Sequence, residues 1–240
     1  MKTIGLIGGV TWQSTAEYYR IINTEVSRAL GGVSSARVAM ISLNFADLIS
    51  FRSSGDEDSH RAMYCDAARS LEQAGADFIL ICSNTGHLRF DDVARTVAVP
   101  VLHIADAAGR AVRAQGISRI GLLGTATTMG GAFMATAFRR MGLSVCTPDP
   151  QACARIDELI LGEMARGIFS AAARNYITQT IAELAERHHA AGILLACTEL
   201  PLLLSGRTFG VPVFDTLALH AKAAVEYALS RPSPARFPTR

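Results

Sequence analysis

The chain has 240 residues, half of them hydrophobic, with a formal net charge of +2, a size that accommodates two domains of about 100 residues each. No apolar run reaches the roughly 18–20 residues that a bilayer span needs, and no run of Lys or Arg makes a nucleic-acid footprint; membrane and nucleic-acid roles are excluded, and a cytoplasmic location is expected. The five cysteines (Cys65, Cys82, Cys146, Cys153, Cys197) are odd in number and scattered, which argues against a disulfide framework, and without a CxxC or HxxxH pair no metal site is expected.

Residues 4–7 read as a first strand. Their apolar stretch ends at once in Gly8-Gly9 and the polar Thr11-Trp12-Gln13-Ser14, too short for a secretory signal. A helix is predicted from about 14 to 30. Gly5, Gly8 and Gly9 invite comparison with the dinucleotide fingerprint, but their spacing is not GxGxxG, and no acidic residue follows about 20 positions on at a second strand end. A strand over 36–43 leads into a loop that carries Arg52, then a helix over 56–73 and a strand over 78–81. That strand runs into Cys82-Ser83-Asn84-Thr85-Gly86-His87. Asn84 and Thr85 offer donors at a strand-to-helix turn, suited to a carboxylate, although Ser, Asn and Thr also serve there as ordinary caps. His87, about one turn into the helix, reads as structural rather than catalytic.

Strands at 101–104 and 120–123 follow. The second opens into Gly124-Thr125-Ala126-Thr127-Thr128-Met129-Gly130, a hydroxyl-rich turn that fits an anion cradle or a helix cap. Next come a strand at 143–146, helices at 157–166 and 171–188, a strand at 193–196 and a strand at 211–214, with helices in the remaining gaps. The end, 230–240, contains three of the eight prolines and three arginines and reads as a loose tail. Continuous apolar strands without alternation imply a parallel sheet covered by helices on both faces, hence an α/β fold.

The sequence also echoes itself. Ile4-Gly5-Leu6-Ile7-Gly8 recurs as Ile120-Gly121-Leu122-Leu123-Gly124, and Val99-Pro100-Val101-Leu102 as Val211-Pro212-Val213-Phe214. Between them, the strand that ends in Ser83-Asn84-Thr85 has its counterpart in the strand that ends in Cys197-Thr198-Glu199. Echoes in one order imply two similar α/β halves. Ligands of open α/β sheets bind beyond the carboxyl ends of strands, so a pseudo-twofold axis would bring Ser83 and Cys197 to one cleft from opposite sides. A strand-end cysteine also reads as a small buried hydrophobe. The polar residues after Cys197, however, and a helix beginning near Glu199, predict N–H groups that lower its thiol pKa from about 8.5 and make it a base near neutrality.

Together these pieces resemble the aspartate/glutamate racemase family, from Met1 to about Leu229, particularly a branch with broad-range and L-aspartate/L-glutamate-selective members. The matching residues are Ile4 to Thr15, Ser83-Asn84-Thr85-Gly86-His87, Gly124-Thr125 with Thr128-Met129, and Cys197-Thr198-Glu199. The resemblance implies two parallel-sheet α/β domains (1–98 with 209–229, and 99–208), an active site between them, no cofactor and a homodimer. It implies a pair of acid–base cysteines, one before Asn-Thr and one before Thr-Glu. The second is Cys197. Ser83 holds the first position, a poorer acid or base than a thiol. Two registers remain, since aligning Gly192 with Asp77 pairs Cys197 with Cys82, and aligning Ala191 with Asp77 pairs it with Ser83. The Asn-Thr motif and strand alternation favour Ser83. Also by resemblance, Asn84, Thr85 and Thr198 hold the substrate carboxylates with help from Thr125 and Thr128, Val10 lines the pocket wall, and Arg52 meets a side-chain carboxylate unless it is a solvated surface arginine.

The expected activity is racemisation of aspartate, glutamate or a related amino acid by two-base proton transfer at Cα. Two alternatives stand beside it: a decarboxylase or maleate-type isomerase that works with one cysteine, and a binder of amino acids or dicarboxylates whose catalytic pair has decayed.

Overall fold

The computed structural model describes residues 1–230; apart from Ser230, the expected tail lies outside the described residues. Two four-stranded parallel sheets form the frame. The first contains β1 (Ile4–Gly8), β2 (Val38–Ser42), β3 (Phe78–Ile81) and β4 (Val101–Leu102) in the order β2-β1-β3-β4. The second contains β5 (Arg119–Gly124), β6 (Ser144–Cys146), β7 (Ile193–Ala196) and β8 (Val213–Asp215) in the order β6-β5-β7-β8. One strand order is thus used twice, as the internal echo implied. Every residue of β1, β3 and β7 is buried, because helices cover both faces of each sheet, and such strands have no reason to alternate.

In the first half the helices are α1 (Trp12–Leu30), α2 (Phe45–Ser54), α3 (Glu57–Gln73), a 3₁₀ turn (Thr85–Arg89) and α4 (Phe90–Thr96). After β4 come α5 (Ile104–Ala114), α6 (Ala126–Gly130), α7 (Ala132–Arg140), α8 (Pro150–Gly162), α9 (Ala171–Glu186), α10 (Leu200–Leu203) and α11 (Thr216–Leu229). Two local expectations are corrected. The loop assigned to Arg52 is the last turn of α2, started by the Asn44 side chain, which accepts from Ala46 N–H. The helix expected at 157–166 begins at Pro150, where Asp149 caps it and proline fits the first turn. Among the described residues, no helix is long and apolar enough to cross a membrane.

The expected boundaries at 98/99 and 208/209 assign β4 to the second half and β8 to the first. The pairings run the other way: Val101 of β4 lies opposite Ile79, and Val213 of β8 opposite Ile193. What crosses over is the helix after each of these strands. Ile104, Ala108 and Val112 of α5 pack with Ile120 and Leu122 of the second half. Leu217, Ala221 and Val225 of α11 pack with Ile4, Leu6 and Tyr18 of the first. Each half therefore buries its partner's helix in its own core, and the boundary falls after the strand, not before it.

Register resolves the remaining ambiguity. Ile79 pairs with Gly5 in the first sheet and Ile193 with Gly121 in the second, so equivalent positions on β3 and β7 are 114 residues apart. The same step carries Ser83 to Cys197. Cys82 lies in the core with Ile4, Leu6 and Tyr18.

Candidate active site

The carboxyl ends of β1, β3, β5 and β7 deliver their loops to one cleft between the halves. At the end of β1 the chain turns through Gly9, with φ +85 and no room for a Cβ against the Leu43 carbonyl. That turn brings Val10 and Thr11 to the cleft wall. Ser83, Asn84 and Thr85 line it from β3, Thr125 from β5, and Cys197 and Thr198 from β7. Arg52 reaches it from α2. Thr128 is fully buried behind this wall, 3.1 Å from both the Thr85 and Thr125 hydroxyls. Thr85 and Thr125, 3.0 Å apart, complete a triangle of hydroxyls that joins the two halves.

Cys197, 7 % exposed, donates from Sγ to Glu199 Oε2 at 3.0 Å. Thr198 Oγ1 donates to the same oxygen at 2.9 Å and Thr11 Oγ1 donates to Oε1 at 2.7 Å, with Ser14 Oγ 3.1 Å from Oε1 and its one hydrogen directed to Thr198. Glu199 is itself 4 % exposed, so this buried carboxylate gathers three donors, Cys197 and Thr198 from its own half and Thr11 from the other. The consequence for the thiol opposes the expectation from sequence. Burial, then the Glu199 charge and its hydrogen bond, push the Cys197 pKa well above the usual thiol value. The α10 helix beyond it is only one turn long, and the Glu199 N–H, which pulls the other way, does not offset these effects. Resting Cys197 is a thiol with its proton aimed at a carboxylate. Thr198 lines the cleft, but its hydroxyl is committed to Glu199 and receives Ser14 Oγ at 2.5 Å.

Ser83, 5 % exposed, accepts from Gly86 N–H at 3.2 Å, and among the described residues no acceptor takes its hydroxyl hydrogen. His87 stands behind it. Ile104 N–H donates to His87 Nε2 at 3.1 Å, so its proton is on Nδ1, which donates to the Ser83 carbonyl at 2.7 Å. Burial, then the neighbouring His103 and His220 rings, push the His87 pKa well below the usual value. His87 holds the turn, as its position in the sequence implied.

Asn84 brings an acceptor to the site beside the donor expected of it. Thr216 Oγ1 gives its only hydrogen to the Leu195 carbonyl at 2.9 Å, so it must receive from Asn84, 3.0 Å away. That fixes the amide with NH₂ toward Thr216 and leaves Oδ1 buried with no partner among the described residues. Asn84 thus brings to the cleft wall an unpartnered acceptor and, because Nδ2 carries two hydrogens and only one goes to Thr216, an uncommitted donor. The backbone adds carboxylate donors: among the described residues, nothing accepts from the N–H of Asn84 or Thr198.

At the far end of the cleft, Arg52 donates across to Thr127 Oγ1 of the second half. Beside it the wall is formed by Phe45 and Leu48 of α2, His60 and Tyr64 of α3, and Ile160 of α8. Sequence reasoning assigned no role to Thr11, Ser14, Glu199, His60 or Tyr64. A carboxylate two residues after a strand-end cysteine was a usable signal for Glu199, but the α3 pair had none. Among the described residues no group of three His, Cys, Asp or Glu side chains converges as a metal-binding set.

The family model for Asp/Glu/hydantoin racemase matches residues 7–224. A candidate Asp/Glu racemase from Yersinia pestis, known as a crystal structure, is 40% identical over 96% of this chain and 100% of its own, with a TM-score of 0.88. An aspartate racemase homologue from Pyrococcus horikoshii OT3 is 33% identical over 96% and 100%, with a TM-score of 0.81. The broad specificity amino-acid racemase RacX of Bacillus subtilis (strain 168) is 27% identical over 175 residues, 73% of this chain and 75% of RacX.

Proposed function

This chain belongs to the Asp/Glu/hydantoin racemase family, and from that premise we propose that it is an isomerase interconverting L- and D-amino acids without a cofactor, using Cys197 and Ser83 on opposite faces of the α-carbon. One observation carries the reading: the two residues occupy equivalent positions after β3 and β7, and both line the cleft where the halves meet.

In one direction the Cys197 proton passes to Glu199, and the thiolate takes the α-hydrogen of the substrate. The electron pair left on Cα spreads into the α-carboxylate, held by the N–H groups of Asn84 and Thr198 with the Thr85 and Thr125 hydroxyls nearby. Ser83 then delivers its hydroxyl proton to the other face. The resulting alkoxide is met by Gly86 N–H until it is protonated through solvent, and Glu199 gives up to solvent the proton it took from Cys197, so that both groups return to their resting forms. Asn84 Oδ1 receives the substrate ammonium. This last contact argues against the one-cysteine decarboxylase or isomerase, because a malonate or maleate would bring only oxygens against a buried acceptor.

A panel of L- and D-amino acids tests the reading by chiral chromatography, with CO₂ release from phenylmalonate and fumarate formation from maleate run alongside. Inversion of an amino acid without either side activity is expected. Turnover of phenylmalonate or maleate with none of amino acids would replace it. The proposal includes a homodimer working in the cytoplasm, which solution mass and cell fractionation test.

A further inference from the structure

The catalytic chemistry leaves the α2–α3 end of the cleft unused. His60 and Tyr64 lie one turn apart on α3, with ring centroids 5.4 Å apart, and both line the cleft. His60 is 3 % exposed. Its Nδ1 receives a hydrogen bond from Arg89 Nε at 2.8 Å. A guanidinium only donates, so Nδ1 carries no proton and the neutral ring must carry its proton on Nε2. Protonating Nδ1 would set one N–H against another. Among the described residues, no group accepts from Nε2.

Arg89 is fixed in turn. It is buried, forms an ion pair with Glu57 in the first turn of α3, and lies 3.8 Å from Asp92 of α4. It belongs to the same 3₁₀ turn that begins at Thr85, so the backbone that places Ser83 and Asn84 also sets the His60 ring. The polar side chains of this end, Arg52, His60 and Tyr64, all carry donors. Glu199, the one acidic lining residue among the described residues, already accepts from three donors.

We propose that His60 determines side-chain specificity, its Nε2–H donating to an oxygen of the substrate's distal carboxylate, and that Arg89 is the positioning residue that fixes this tautomer. The proposal rests on the racemase reading for the placement of the α-carbon. It makes the cleft selective for acidic side chains over apolar ones, since an apolar chain would leave a buried donor unpaired.

The test combines calorimetric binding of L-aspartate with turnover measured separately. His60→Leu should weaken L-aspartate binding by about tenfold or more and lower the aspartate-to-alanine ratio of kcat/KM to match. His60→Gln, whose carbonyl can receive Arg89 and whose NH₂ can donate to substrate, should restore both to within a few-fold of wild type. Long-range ¹H–¹⁵N spectra should show His60 as the Nε2–H tautomer in the wild type and a mixture of tautomers in Arg89→Leu. L-Aspartate that binds and responds to His60→Leu without being turned over would sink the racemase reading and leave this one standing. Binding unchanged in His60→Leu, no L-aspartate binding at all, or a wild-type Nδ1–H tautomer would overturn the assignment of His60.

Discussion

The Cys197 thiol donates to the Glu199 carboxylate across 3.0 Å, and that carboxylate accepts in turn from Thr11 of the other half. The sulfur is therefore not a free thiolate awaiting substrate. It is an acid whose proton has a designated acceptor, and the acceptor is buried and locked.

Removing the Glu199 charge while keeping its shape should make the thiol ionise more readily. In Glu199→Gln the pH midpoint for alkylation of Cys197, followed by peptide mass spectrometry, should fall below that of the wild type, because the negative charge and acceptor that raise it are gone. Wild-type racemisation should keep climbing with pH beyond the ordinary thiol range near 8.5. An unchanged or higher midpoint would show that Glu199 does not control the sulfur.

Ser83 has its hydroxyl hydrogen uncommitted but lacks a thiol's acidity. Ser83→Cys, which changes one atom, should raise racemisation by about tenfold, corresponding to ~1.4 kcal/mol of barrier. Chiral chromatography of product formation from each enantiomer measures it. A fall in both directions would mean that Ser83 positions water or substrate and does not carry the proton.

The unpartnered Asn84 Oδ1 makes a sharp distinction between ligands. Asn84→Leu should raise KM for amino acids by about tenfold or more, since a bonded ammonium loses its acceptor, while binding of the corresponding dicarboxylate without an amine should change far less. Equal weakening of both ligands would return Asn84 to the role of a carboxylate donor.

The buried imidazoles set an acid limit on stability. His220 donates from Nε2 to the Leu102 carbonyl and accepts from Tyr18 OH, and burial takes its pKa down to about 3; His87 is likewise well below its usual value. Below about pH 6.5 the unfolded chain protonates these rings while the folded chain does not. The stability they contribute is thus complete above that pH and is lost as pH falls toward 3. Each ring contributes a slope of up to about 1.4 kcal/mol per pH unit. Urea unfolding at pH 7, 5.5 and 4.5 should show the decline, and a flat profile would contradict it.

The architecture was legible because β1, β3, β5 and β7 are buried on both faces and declare themselves as apolar runs, and because the duplicated Ile-Gly-Leu pattern reports a duplicated sheet. The strand-end residues Ser83, Asn84, Thr125 and Cys197 followed from the same logic. What could not be read depended on contacts between distant segments. The expected bounds already place α5 and α11 with the opposite halves, but the pairing of the short strands β4 and β8 with β3 and β7 leaves no local mark. The polarity of Asn84 is decided by Thr216 and Leu195, and the tautomer of His60 by Arg89. The Cys197 pKa depends on burial and on the Glu199 charge two residues away, which outweigh the one-turn helix beyond it.

Deuterium exchange at Cα in D₂O, followed together with optical rotation, separates the two faces of the substrate most directly. Wild-type protein should incorporate deuterium with inversion, Ser83→Ala should incorporate it with retention and little inversion, and Cys197→Ala should do neither. Exchange in Cys197→Ala at the wild-type rate, or unimpaired inversion in Ser83→Ala, would contradict the assignment of a sulfur and an oxygen to opposite sides of one carbon.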